Sequence, residues 1–206
     1  MSAARSLAAS VKRILPEIGA ASLARHLGDA SDETCQDLLA SERAGWPLAR
    51  LLAASAEAGG LVLRSPQARL ALAEPAVCQD AAAMAGAWLH GRAVRNILSG
   101  RKIEAMVEHI GRQAFAIIVE PDAPALPAPT SGASLPDDPG AIAAQILEDG
   151  RWLVRTWLAT SAPAAHALLD LRATEDVPCL SARPDLPVGA AQALAWIVER
   201  LEVTDV

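Results

Sequence analysis

The sequence predicts a mainly α-helical protein, an irregular multi-helix domain with at most one short β element near residues 114–120. Three observations carry that class. Alanine dominates the composition, and it is the residue that costs least to place in a helix. Aromatic residues, which favour sheets, are scarce: no Tyr, one Phe (Phe115) and five Trp. Apolar residues recur at three- and four-residue spacing between serine, proline and glycine punctuation.

The elements follow in order. A first helix covers Ser2 to Leu15 and stops near Pro16, with Leu7, Val11, Ile14, Leu15 and Ile18 as its core stripe. A short helix covers Ala20 to Leu27 and ends at Gly28. Residues Asp29 to Asp32 offer caps for a helix over Glu33 to Glu42. Pro47 suits the first turn of a helix through Ala58, which Gly59-Gly60 ends. Ser65-Pro66 repeats the cap-then-proline signal for a short helix through Ala73, and Glu74-Pro75 opens a long one. From Ala81 to Leu89 that helix reads AAAMAGAWL, small and apolar all round, as expected of a central element buried on most sides. Ser99-Gly100 breaks or kinks it, and the next helix, with Ile103, Met106, Val107 and Ile110 on one face, stops at Gly111. Ala114 to Glu120 is β-branched and the best strand candidate; it either pairs with Leu61 to Arg64 or continues as helix.

Residues 121–140 hold six of the fourteen prolines and divide a helical main domain (1–120) from a C-terminal helical part (141–206) packing on it. The stretch reads as an exposed linker or long loop. Beyond it, Asp138-Pro139 starts a helix with Ile142, Ile146, Leu147, Leu153, Val154, Trp157 and Leu158 at helical spacing. Ser161 and Pro163 begin a short helix through Leu169, an irregular stretch with Pro178, Pro184 and Pro187 follows, and the last helix runs from Val188 to Leu201.

With 206 residues, 52% of them hydrophobic and 20% charged, the chain can build its core without metals or disulfides. A net charge of −6 and a pI near 5.2 argue against nucleic acid or an anionic membrane as a general partner. Cys35, Cys78 and Cys179 are few and widely spaced, which fits a reducing compartment. No segment offers the roughly 18 apolar residues a membrane span needs. The N-terminus lacks a secretory h-region; its Arg, Ser and Ala on an amphipathic pattern resemble a mitochondrial presequence slightly, but the stripe from Leu7 to Ile18 is equally that of an ordinary core-facing helix, so a cytoplasmic location with no membrane insertion is expected.

Motifs for chemistry are sparse. His26, His90, His109 and His166 stand apart from one another and from the cysteines, with no zinc spacing, and they read as surface or helix-end residues. No phosphate loop, dinucleotide fingerprint or nucleophile elbow is present, so neither cofactor nor metal is expected. Cys78, close to a helix start, reads as a small core residue. The acidic pairs Asp137-Asp138, Glu148-Asp149 and Glu175-Asp176 read as caps and solvated faces.

What stands out is the basic stretch Trp88 to Arg112, with Arg92, Arg95, Arg101, Lys102 and Arg112 against Glu104 and Glu108. In a helix continuing through Gly100, Arg92, Arg95, Asn96, Ser99 and Lys102 share a face able to receive an acidic partner protein. Among the tryptophans, Trp88 and Trp157 lie on apolar stripes and read as core. Trp152, beside Arg151, is the better contact candidate.

The pattern Leu89-His90-Gly91, Arg95, Ile97, Ser99-Gly100, Ile103, Ile110-Gly111 and Ala114-Phe115-Ala116 resembles the SctK/YscK family of type III secretion accessory subunits. Asp149-Gly150-Arg151, Trp157-Leu158, Pro163 and Leu168 to Arg172 look similar to that family's C-terminal part, so the resemblance spans roughly residues 65–120 and 140–173. It implies a non-enzymatic sorting-platform adaptor at the cytoplasmic face of the injectisome. Its partners would be the cytoplasmic domain of the inner-membrane ring and the C-ring or pod protein that carries the ATPase complex. Two other classes stay open: a helical enzyme or small-ligand binder with a dispersed site such as His90, Arg92 and Arg95, and a chaperone-like binding module.

Overall fold

A computed structural model describes residues 3–28, 30–97, 100–128, 135–172 and 186–201. Among the described residues the chain forms eleven α-helices and one 3₁₀ turn, with no strand. They belong to two compact units, residues 1–74 with 158–181 and 204–206, and residues 75–157 with 182–203.

In the first unit, α1 (Ala3–Ile14) runs into the 3₁₀ turn Leu15–Glu17, where Pro16 cannot continue the helical hydrogen bonding. Its stripe is buried at Leu7, Val11, Ile14 and Ile18, with Leu15 half-buried. This face packs on α4 (Glu42–Ala58), which turns Leu48, Ala49, Leu52, Ala53 and Ala56 inward. Between them in the chain come α2 (Ala20–Leu27) and α3 (Asp32–Ala40), which pack on each other, α3 also on α4. Gly28 ends α2 at φ +84°, a conformation that an L side chain resists. The cap of α3 is Ser31, whose Oγ accepts from the Thr34 amide at 3.2 Å, while Asp29 lies outside the described residues.

Pro47 is not in the first turn of α4. Ser41 caps that helix by accepting from the Ala44 amide at 3.4 Å, and Pro47 sits in the interior with no N–H to return to the Arg43 carbonyl. The serine cap therefore outranks the proline as the start signal. Ser65 likewise accepts from the Ala68 amide at 3.1 Å to start α5 (Pro66–Ala71). Next to α5, α4 and α2 packs α10 (Pro163–Leu171). Arg172, just past α10, joins three segments of this unit. Its Nε donates to Glu17 Oε2 at 2.7 Å, Nη2 reaches the same oxygen, and Nη1 donates to the Ala71 carbonyl at 2.9 Å.

The second unit is built on α6 (Pro75–Arg95), where every residue from Ala81 to Trp88 is buried. Glycine and alanine on that run let other backbones approach closely. α8 (Arg112–Val119) and α11 (Ala190–Arg200) pack on α6, and α7 (Gly100–Ile110) packs on α8. The segment read as the best strand candidate is α8, a helix. Its buried residues Ala114, Ile117 and Ile118 follow three- and four-residue spacing, with Gln113, Ala116 and Val119 exposed. Leu61 to Arg64, the proposed partner strand, forms turns.

The proline-rich stretch lies within the second unit's span, and its described part is anchored rather than free. Leu126 is buried, and Trp88 Nε1 donates to the Pro124 carbonyl at 3.3 Å. Asp138 Oδ2 then accepts from the Ala141 amide at 2.8 Å and caps α9 (Pro139–Ser161), which belongs to the second unit up to Trp157. The irregular stretch with Pro178 and Pro184 lies outside the described residues.

Candidate functional site

The two stretches that carry the resemblance meet in the second unit, where α6 crosses α9. Gly86 and Gly150 stand at the crossing. A Cβ built on Gly86 would lie 1.9 Å from the Ile146 carbonyl oxygen, and one on Gly150 would lie 1.8 Å from the Ala82 carbonyl oxygen and 2.8 Å from the Gly86 nitrogen. The two backbones therefore touch with no side chain between them. On the next turn of α6, a Cβ on Gly91 would come within 2.8 Å of the Leu126 side chain, so that face is closed by the proline-rich segment.

Beside this crossing sits a polar pair, Asp149 buried and His90 half-buried. His90 lies one turn beyond Gly86, and Asp149 is the residue before Gly150. The Nε2–H of His90 donates to Asp149 Oδ2 at 2.8 Å, with the side chains 13% and 9% exposed. A carboxylate in that environment needs donors, and the imidazole supplies one across the helix interface. The Glu148-Asp149 pair is thus not one solvated face: Glu148 is exposed and Asp149 is buried. The other histidines follow the bland reading. His26 and His109 are exposed, and His166 Nδ1 stands 3.1 Å from Asp170 one turn along α10.

The basic residues scatter over different tasks. α6 ends at Arg95 and α7 begins at Gly100, so no continuous helical face joins Arg92 to Lys102; Ser99 lies outside the described residues. Arg95 reaches α8, where its Nε donates to the Ile118 carbonyl at 3.0 Å and its Nη2 binds the same oxygen. That carbonyl is in the last turn of α8, which has no amide of its own helix to accept from, so Arg95 acts as a cationic C-terminal cap. Lys102 Nζ stands 3.6 Å from Asp137 Oδ1 in an exposed pair worth little. Arg92, in the last turn of α6, and Arg101, at the start of α7, are exposed.

Trp152 is buried at 7% exposure and serves the core of the second unit, as Trp88 and Trp157 do. It is therefore not the exposed contact residue that its neighbour Arg151 suggests: Arg151 is exposed and Trp152 buried, because neighbours on a helix point to different sides. His90, Arg92 and Arg95 do not converge: the first binds α9, the second faces solvent and the third caps α8. Among the described residues, no group of three His, Cys, Asp or Glu side chains could hold a metal ion, and no helix is long and apolar enough to cross a membrane. No family model, curated protein or solved structure matches this chain.

Proposed function

We propose that the protein is a non-enzymatic adaptor of a type III secretion sorting platform, linking the cytoplasmic domain of the inner-membrane ring to the pod protein and its ATPase complex. It would act at the cytoplasmic face of the membrane. One observation supports carrying the resemblance this far. His90 of Leu89-His90-Gly91 and Asp149 of Asp149-Gly150-Arg151, 59 positions apart in the chain, are joined by a hydrogen bond beside the Gly86–Gly150 crossing, so parts of the two resembling stretches come together within the second unit.

In this reading the glycines and the His90–Asp149 pair maintain the framework, and the exposed Arg92 and Arg101 around the α6–α7 turn receive carboxylates of the partner. Arg95 is excluded from that role by its hydrogen bonds to Ile118. The test is a pull-down with purified ring domain and pod protein, comparing wild type with Arg92→Glu/Arg101→Glu. The double variant should keep the helical circular dichroism and lose capture of one partner. Undiminished capture of both would remove the basic surface, and failure of wild type to capture either would remove the adaptor reading.

A further inference from the structure

The outward side of α4 carries a pattern that the core does not use. Pro47, Leu51, Ala54 and Ala58 follow one another at spacings of four, three and four, and all are exposed, Leu51 at 54%. These are the d, a, d and a positions of a heptad seam. The inward residues Leu48, Ala49, Leu52, Ala53 and Ala56 occupy the opposite side, so the helix is apolar on two faces. Arg43, Arg50 and Glu57, also exposed, fall on the g positions flanking the seam.

We infer that this seam binds a second copy of the chain, with the two α4 helices antiparallel about a two-fold axis. The pattern reads the same in both directions, as a two-fold contact requires. In the antiparallel register Pro47 faces Ala58 of the second copy, and Leu51 faces its Ala54, a large residue against a small one in each layer. The flanking g positions then bring Arg50 of each copy against Glu57 of the other, two opposite-charge pairs from a helix that carries both signs. A purely acidic partner helix would meet Arg50 but be repelled by Glu57. The inference is independent of the adaptor reading.

Two heptads make a small interface, so the association is expected to be weak and to show only at high protein concentration. Sedimentation of the full chain from about 5 to about 500 μM should show the mass rising from 21.4 kDa toward twice that value. Leu51→Glu should stay at 21.4 kDa throughout, with unchanged helical circular dichroism because the side chain is outside the core. Arg50→Glu should weaken association about tenfold or more by turning two attractions into repulsions, and adding Glu57→Arg should restore it. A wild type that remains monomeric at the highest concentration overturns the inference, even if another protein later proves to bind this face. So does a double variant that associates no better than Arg50→Glu.

Discussion

Gly150→Ala adds one methyl group where the backbone of another helix already stands. The new Cβ would meet the Ala82 carbonyl oxygen at 1.8 Å, against the 3.4 Å at which ordinary contact begins, so α6 and α9 must part by about 1.5 Å. Neither obstacle is the end of a flexible side chain: one is a carbonyl and the other is the Gly86 nitrogen. A gap of 0.5 to 1 Å already forfeits about a quarter to a half of a van der Waals well, so a larger separation loses most of the facing contact. Overpacking of this kind costs about 1–3 kcal/mol and more where nothing can yield, while replacing glycine by alanine inside a helix returns about 1 kcal/mol. Because both obstacles are backbone, the cost lies at the top of that range or above, so the expected net loss is about 2 kcal/mol or more, roughly 4–8 °C or more in the melting transition.

Gly86→Ala strikes the same gap from the other side, with Ile146 as the obstacle. The pair should therefore be non-additive, the second alanine costing less once the helices have parted. Gly45→Ala is the control. It lies inside α4, the nearest atom to its new Cβ is Lys12 Cε at 3.9 Å, and it should stabilise by up to about 1 kcal/mol. Thermal and urea unfolding followed at 222 nm separates the cases. A Gly150→Ala protein that melts at or above wild type would show that the backbones do not touch at this crossing.

His90→Ala should cost about 1–3 kcal/mol in urea unfolding, because it takes a donor from a buried carboxylate, and His90→Gln, which keeps a donor, should recover part of the loss. Arg172→Ala should lower stability by about 2–3 kcal/mol through the loss of its bonds to Glu17 and Ala71. Arg172→Lys should recover less than half, since an ammonium cannot copy the forked geometry; equal stability of the lysine variant would count against that account. Leu126→Ala should cost about 2 kcal/mol and speed proteolysis within residues 121–128, and an unchanged cleavage rate would mean that this stretch is not anchored on α6.

Much of the helical order was legible because its signals are local. Ser65-Pro66, Asp138-Pro139, Gly28 and Gly111 mark helix ends by short-range hydrogen bonding and backbone conformation, and each end falls where those residues place it. The errors came where two local signals competed. At Ser41 and Pro47 the proline drew the boundary five residues late, although a helix tolerates an interior proline at the loss of one hydrogen bond when a serine cap precedes it. At Ala114 to Glu120, where strand and helix both stand open in the sequence, the helical spacing of Ala114, Ile117 and Ile118 prevails over the β-branched composition.

The crossing was harder to read for a different reason. A glycine inside a helix lowers its local propensity, and only a neighbour from elsewhere in the chain explains why it is there. Gly86 lies in a small apolar run and Gly150 beside charged residues, and neither implies the other without knowing that α6 meets α9. The same holds for Asp149. Beside Glu148 it has the sequence context of a solvated pair, yet it lies on the inward side with Ile142, Ile146 and Leu153 and takes its donor from His90, fifty-nine positions away. One signal was available: at helical spacing Asp149 continues the buried stripe Ile142–Ile146 and leads into Leu153, so a carboxylate on that line had to find a polar partner inside the fold or break the helix packing. Buried polar residues of this sort report on tertiary structure, and the two positions that local reasoning placed at the surface, Asp149 and Trp152, are both on the inner side of α9.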